Sequence, residues 1–466
     1  MNQASFSRRN ALKIMGCQAA VSLCGCGGIV PEGTKRPNFV VILCDDLGYG
    51  DPGCYGHPYI QTPAIDRLAA EGMRLTDCYA GAPVCSPSRA AMLTGRTPHR
   101  TGVYDYIPGH GYGGKGPVYA GMHLQREEIT AASLLRDAGY DTCHVGKWHL
   151  ASKFNDPAEP QPGDHGFNHW FSTYSNAQPS HRNPDNFVRN GEELGELDGY
   201  SAELCAAEAA DWLTRLRDKT KPFCLFAWLH EPHEPIATRE RFMAPYKGHP
   251  EAIYYGNVSQ IDYAAGQILD TLDSMGIRDN TLIMFTSDNG PETLNRYQGA
   301  NRSFGSPKPL RGMKLHMYEG GIRVPGILSW PGIIEPGQVS DTPVSATDVL
   351  PTLCDLAGIP TPDDRPIDGT SLASFIRSGS ITREIPLYWR YDIALSQPFG
   401  VAMRHNDFKI LADPGLSVFE LYNLRDDPEE RFDLAAAAPD VLADMRNRLV
   451  PLHTEIDREG PEWPTA

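Results

Sequence analysis

A thiol, two hydroxyls and a guanidinium are gathered in Cys85-Ser86-Pro87-Ser88-Arg89, which continues through Ala90-Ala91-Met92-Leu93-Thr94-Gly95. Pro87 and Ser88 suit the opening of a helix, with Cys85 at its N-terminus and Arg89 one turn in. A helix start presents unpaired backbone N–H groups and the positive end of a dipole, so it favours an anion. A nucleophile facing a phosphate- or sulfate-like group is the chemistry this combination can perform. The same residues also fit an ordinary buried thiol ahead of a capped helix, because free Cys is often core.

Other ionisable groups stand at the ends of apolar runs. Residues 39–44 lead into Asp45-Asp46, and 281–287 lead into Asp288-Asn289. Residues 142–146 lead into Lys147-Trp148-His149, and 223–229 into His230-Glu231-Pro232-His233. Near-continuous apolar runs of this length read as strands buried on both faces. If the strands are parallel, all four polar sets lie on one edge of the sheet, outside the carboxyl ends, where open α/β sheets bind ligands. Asp45, Asp46, Asp288 and Asn289 offer three carboxylates and one amide, a hard-oxygen set that suits Ca²⁺ or Mg²⁺ rather than zinc or copper. Asp45-Asp46 alone would serve equally as a helix cap; the second pair favours the ion. Lys147 and His149, two residues apart on a strand, would project from one face.

Amphipathic segments alternate with these runs, which points to an α/β sheet flanked by helices. Thr62-Pro63 opens a helix that Gly72 closes, and another spans 130–138 before Gly139. Residues 201–217 carry Cys205, Ala209, Trp212 and Leu216 at helical spacing. Val258, Ile261, Ala265, Ile268, Leu272 and Met275 form the cleanest apolar stripe. Residues 102–121 and 151–190 are rich in Gly, Pro, His and Asn and read as binding loops. Within such loops His110, His181, Arg182, Arg296 and Arg302 are candidates for substrate contact, and each also fits an ordinary loop residue. Beyond 372–376 the composition changes. Short strands at 386–391, 400–404, 408–411 and 419–423 and a helix at 440–449 are expected to make a smaller domain over 386–466, after a catalytic domain over 37–385.

The 466-residue chain has 41% hydrophobic and 21% charged residues, ordinary for a globular protein. Its net charge of −16 argues against a nucleic-acid partner. Ser7-Arg8-Arg9-Asn10-Ala11-Leu12-Lys13 looks like a twin-arginine export signal, followed by an apolar run too short to span a bilayer. The run ends in Leu23-Cys24-Gly25-Cys26, which resembles a lipobox with Cys26 as the lipidated residue; a plain cleaved signal over residues 1–25 is the alternative. Export to the periplasm or cell surface follows. Of the eleven cysteines, those outside the signal and Cys85 lie mostly in apolar runs without Cys-x-x-Cys spacing. They read mainly as core thiols, with no zinc site.

The string from Cys85 to Gly95 resembles the signature of the type I, formylglycine-dependent sulfatases, Cys-x-Pro-Ser-Arg-x-x-x-Leu-Thr-Gly. The resemblance extends to both acidic pairs, to Gly146-Lys147-Trp148-His149-Leu150, to the His-x-Pro ending that selects His233 over His230, and to Tyr318-Glu319-Gly320-Gly321 with Lys314 before it. It implies an α/β fold: a large alkaline-phosphatase-like domain with a mixed, mostly parallel central sheet flanked by helices, plus a smaller C-terminal α+β domain. It implies that a maturation enzyme oxidises Cys85 to formylglycine. One divalent cation, Ca²⁺ with Mg²⁺ as the alternative, would be held by Asp45, Asp46, residue 85, Asp288 and Asn289. Arg89, Lys147 and Lys314 would face the sulfate, His233 would protonate the leaving group and His149 would take a proton from residue 85. The choice of Lys314 over Lys308 rests on spacing to Glu319. Within the family, Leu310-Arg311-Gly312-Met313-Lys314 and the His-Glu-Pro-His run resemble bacterial carbohydrate sulfatases, so a sulfated glycan is the expected substrate. A phosphonate or phosphate ester hydrolase of the same superfamily, or a lipoprotein that binds sulfated glycans without cleaving them, are the competing readings.

Overall fold

Five parallel strands at the centre of one sheet place the site. The computed structural model describes residues 35–109, 119–292 and 304–465. Its large sheet runs β10 (Gln338–Ser340), β2 (Met73–Tyr79), β9 (Arg323–Ser329), β8 (Thr281–Ser287), β1 (Asn38–Cys44), β7 (Phe223–Trp228), β3 (Asp141–Lys147), β4 (His169–Thr173), β5 (Val188–Arg189) and β6 (Glu192–Glu193). β11 (Val344–Ser345) also pairs with β2. The segment β8-β1-β7-β3-β4 is parallel throughout, whereas β9 runs antiparallel to both β8 and β2.

β1 shows why these residues make a central strand. All seven are buried, and the pleat divides them between two cores. Val40, Ile42 and Cys44 pack under the helices Pro63–Ala70, Ser201–Asp211 and Ala252–Ser274. Phe39, Val41 and Leu43 face the helices Cys85–Thr94, Ala131–Asp137 and Val349–Ala357. Fully burying each such side chain contributes about 1.5–3 kcal/mol. Register then fixes the edge: Cys44 pairs with Ser287, Leu43 with Trp228 and Gly146 with Trp228. The four polar sequences therefore leave the sheet at one level.

A second, antiparallel sheet runs β12 (Leu387–Arg390), β13 (Val401–His405), β14 (Phe408–Ala412) and β15 (Phe419–Asn423). One face packs on the helix Pro439–Asp457 through Met445, Leu449 and Ile456. The other places Trp389, Tyr391, Leu411 and Tyr422 against Tyr79, Val84, Leu315, Met317 and Ile322. This sheet thus shares a core with segments around the site.

Some elements differ from the sequence expectation. The stretch 151–190 is not all loop: β4 and β5 lie within it. The segment 201–217 is α-helical to Asp211 and continues as a π-turn, Trp212–Leu216. The last helix runs on to Asp457 through Pro451, because Leu449, His453 and Ile456 bury its continuation. The eight described cysteines are all unpaired, and seven of them are buried. Among the described residues no helix is long and apolar enough to cross a membrane.

Candidate active site

Cys85 is the first residue of the helix Cys85–Thr94, every residue of which is buried. Val84 precedes it in extended conformation and gives no side-chain cap. The serines are used elsewhere: Ser86 Oγ accepts from Ile107 N at 3.0 Å, and Ser88 Oγ from Gly81 N at 2.9 Å. They fix the loops around the helix start. Cys85 Sγ points across the sheet edge and donates to Asp45 Oδ1 at 3.3 Å.

The carboxylates of β1 and β8 meet three cations. Arg89, one turn into the helix, donates from Nε and Nη2 to Asp288 Oδ2 at 3.0 and 2.7 Å, and its Nη2 lies 3.3 Å from Asp45 Oδ2. Its Nη1 donates to the Lys147 carbonyl at 2.7 Å, and the guanidinium lies 5.2 Å from the Trp228 ring. Lys147, the last residue of β3, ion-pairs with Asp45. Lys314 Nζ donates to both carboxylate oxygens of Asp46, at 2.6 and 2.8 Å. Lys308 is exposed, so the structure brings Lys314 to the site and leaves Lys308 outside it. Asn289 Nδ2 donates to Asp46 Oδ1 at 2.7 Å, and Asp46 N to Asp288 Oδ1 at 3.2 Å.

Burial would raise every one of these carboxyls, and neighbouring charge decides the outcome. Lys147, His233, Arg89 and Lys314 overcome burial at Asp45 and hold it well below the usual carboxylate range. At Asp46 burial, aided by Asp45, Glu292 and Asp288, prevails over Lys314 and lifts it to about 7. Asp288 is raised by burial and by Asp45 despite Arg89. Burial and Asp45 push the Cys85 thiol well up. Burial, with Lys147 adding to it, pushes both His149 and His233 well down.

The two histidines arrive by turns rather than by strand pleat. β3 ends at Lys147, and His149 adopts φ 58°, so the expected same-face relation does not place it. Its Nε2 contacts the Ile107 carbonyl at 2.7 Å, and its buried Nδ1 has no hydrogen-bond partner. His233 Nε2 lies 3.7 Å from Asp46 Oδ2, while its Nδ1 meets Asn176 Nδ2 at 3.3 Å and the Glu234 carbonyl. His230 contacts Thr173 Oγ1 at 2.8 Å instead.

The donor set fits a divalent cation. Asp45, Asp46, Cys85 and His233 each place one ligand atom within 4.8 Å of the others. Asn289 spends its N–H₂ on Asp46 and Gly290, leaving a buried Oδ1 with no partner. A carbonyl oxygen without a donor, on a side chain that meets the Asp46 carboxylate, suits a hard cation.

Of the candidates for substrate contact, His181 is buried 5.8 Å from the His230 ring, and neither of its ring nitrogens has a hydrogen-bond partner. Arg182 is exposed, bridged through its backbone to Tyr200. His110, Arg296, Arg302, Cys26 and the whole of residues 1–25 lie outside the described residues. The sequence reading missed Glu292, buried 3.7 Å from Lys314, and Asn176 beside His233. Neither stands at a strand end, and no local pattern marks them.

A mostly parallel sheet that collects carboxylates, cations and a helix start at its carboxyl edge is the alkaline-phosphatase type of hydrolase, built for anionic esters. Comparison narrows the class. A family model described as Sulfatase matches residues 37–359, and one described as N-sulphoglucosamine sulphohydrolase, C-terminal, matches residues 313–455. The N-acetylgalactosamine-6-sulfatase of Canis lupus familiaris is 33% identical over 468 residues, covering 90% of this chain and 85% of its own. Arylsulfatase A of Homo sapiens is 32% identical over 472 residues, covering 91% and 89%. The structure of Ps i-CgsB in complex with k-i-k-neocarrahexaose matches with a TM-score of 0.79 at 27% identity, covering 92% of this chain and 95% of that one. The chain belongs to the sulfatase family, and the enzyme is a sulfuric ester hydrolase.

Proposed function

We propose that this sulfatase removes sulfate esters from a sulfated carbohydrate outside the cytoplasm, using formylglycine made from Cys85 and one bound Ca²⁺. The observation that carries the reading is the contact of residue 85, at a helix start, with Asp45, on which Arg89 and Lys147 converge while Lys314 pairs with the adjacent Asp46. Carbohydrate is favoured by what two of the similar proteins are named for: N-acetylgalactosamine-6-sulfatase activity in one, a bound neocarrahexaose in the other. Export follows from the twin-arginine pattern at Arg8-Arg9, and a lipid anchor at Cys26 from the lipobox pattern.

Asp45, Asp46, Asp288 and Asn289 would hold the ion together with residue 85. When bound, it supplies Lewis-acid polarisation of the sulfate and lowers the pKa of a hydroxyl at that position. Formylglycine supplies two hydroxyls when hydrated, one to attack sulfur and one whose deprotonation expels sulfate afterwards. Arg89, Lys147 and Lys314 orient the sulfuryl oxygens and offset their charge as it redistributes. His233, with Nε2 3.7 Å from Asp46 Oδ2, would give a proton to the departing sugar oxygen, and must first take one up because burial favours its neutral form. His149, whose Nε2 is held at the Ile107 carbonyl and whose Nδ1 has no partner, would take the proton from residue 85.

Cys85→Ser tests this division of labour. A serine ester has no second hydroxyl, so the variant should release one equivalent of alcohol and retain sulfate, seen as an added sulfuryl mass on the peptide that carries position 85. Steady turnover by the serine variant would contradict it.

A further inference from the structure

Lys409 lies on β14, in the second sheet, and its ammonium is wholly buried. It donates to Glu319 Oε1 at 2.9 Å and lies 2.8 Å from Glu430 Oε1. Glu430 Oε2 accepts the backbone N–H of Glu319 at 2.7 Å. The other oxygen of Glu319 accepts from Tyr79 Oη at 2.7 Å and lies 3.3 Å from Arg323 Nη1. Glu319 is therefore held by its side chain from Lys409 on the second sheet and by its backbone from Glu430, in the loop that follows β15. Taking such charges out of water is expensive, and buried ion pairs are often no more stabilising than apolar residues of the same volume. Stability is therefore a weak reason for the cluster.

Glu319 is followed by Gly320-Gly321, and here the backbone has no room for side chains. A Cβ on Gly320 would collide with the Gly312 carbonyl, and one on Gly290 with the Gly320 carbonyl. Gly320 N donates to Arg311 O at 2.6 Å, Gly290 N to Gly321 O at 2.9 Å and Lys314 N to Pro291 O at 2.9 Å. Three backbone segments are thus locked in direct contact: the one after Asn289, the one leading to Lys314, and the one beginning at Glu319. The next residue, Leu315, donates its N–H to Pro83 O at 2.8 Å, two residues before Cys85. A shift of Glu319 cannot be absorbed by side chains and passes to Asn289 and Lys314.

We propose that Lys409 is a positioning residue for the sulfatase site, acting through Glu319 to set Asn289 and Lys314 without touching a reacting atom. The second sheet is then part of the catalytic apparatus. The inference rests on the sulfatase reading for its rate measurement, though not for its metal measurement.

The test uses full-length matured protein and compares Lys409→Met, Lys409→Gln and Glu430→Gln with wild type at one temperature at which each protein compared is shown to be folded. Two quantities are read: kcat on a small aryl sulfate, and Ca²⁺ affinity by calorimetry after metal removal. Lys409→Met should lower both by about tenfold or more, the scale seen when groups that orient metal ligands are lost. Lys409→Gln, whose amide can still donate to Glu319, should lose less. Glu430→Gln keeps the Lys409–Glu319 bond and one acceptor for the Glu319 N–H but turns an N–H₂ toward Lys409, so it should lower each by less than Lys409→Met does. A folded Lys409→Met protein with a lower melting temperature but wild-type kcat and Ca²⁺ affinity would show a merely structural lysine and overturn the proposal. If Lys409→Met does not fold, wild-type values for Lys409→Gln overturn it equally. If wild type releases no sulfate from any ester, the sulfatase reading fails on its own account and the Ca²⁺ comparison decides the role of Lys409.

Discussion

Lys314 Nζ lies 2.6 and 2.8 Å from the two carboxylate oxygens of Asp46, across 268 residues of chain. Glu292 lies 3.7 Å from the same ammonium. The contact puts a cation between the strand that carries the acidic pair and the turn that precedes Glu319. Lys314→Met should lower kcat/KM by about 100-fold, as for loss of a donor aimed at developing charge. Lys308→Met, six residues earlier and exposed, should stay within about twofold of wild type. Equal losses in an aryl sulfate assay would show that the turn as a whole matters, rather than the Asp46 contact.

Arg89 is held by direction as much as by charge. Its guanidinium meets Asp288 through two nitrogens, the Lys147 carbonyl through a third, and the face of Trp228. A lysine offers one point charge and cannot form this fork. Arg89→Lys should therefore lose about 3 kcal/mol of stability, since partners in a buried network are left unpaired. Urea unfolding measures it, and a midpoint equal to wild type would contradict these contacts.

Metal dependence can be read through Asn289, whose Oδ1 is buried without a donor. Asn289→Leu should weaken Ca²⁺ binding by about tenfold or more and lower the rate in parallel. Chelation should abolish sulfate release, and Ca²⁺ should restore it. Metal content must be followed by elemental analysis, because a tightly held ion would survive brief chelation. Full activity in protein shown to be metal-free would rule out an essential cation.

Away from the site, Asp262 gives a stability test with a defined sign. It lies in the helix Ala252–Ser274 and accepts the Ile65 N–H at 2.8 Å. Burial raises its carboxyl to about 7 in spite of that bond. The folded protein keeps this proton when the unfolded chain has released it, so stability falls as pH rises from about 4 to 7 and then levels. Asp262→Asn retains an acceptor for Ile65 and removes the titration. Between pH 5 and 8 the variant should gain roughly 3 kcal/mol relative to wild type, an order-of-magnitude figure. Urea midpoints at the two pH values check it, and parallel pH profiles would contradict it.

Much of the architecture was legible because burial on both faces leaves long apolar runs. β1, β3, β7 and β8 were found that way, and their polar ends carried Asp45, Lys147, His230 and Asp288 to one edge. β2 and β9 escaped: Met73–Tyr79 alternates with polar residues, and Arg323–Ser329 carries a proline and a glycine. β4 was hidden inside a Gly- and Pro-rich stretch. At the site, residue types at strand ends were informative, whereas the position of His149 depended on a left-handed turn that no spacing reveals. Glu292, Asn176 and the Lys409–Glu319–Glu430 cluster depend on contacts between distant segments, so nothing local marks them.

The most direct test is sulfate release from defined sulfated galactose, N-acetylgalactosamine and glucosamine isomers. It requires protein whose Cys85 peptide has been shown by mass to carry the aldehyde, with Cys85→Ala and a phosphonate monoester run beside it. Release of sulfate from one regioisomer, absent in Cys85→Ala, is the expected result and would name the bond. Cleavage of the phosphonate with no sulfate from any sugar, or equal release by Cys85→Ala, would contradict a carbohydrate sulfatase acting through residue 85.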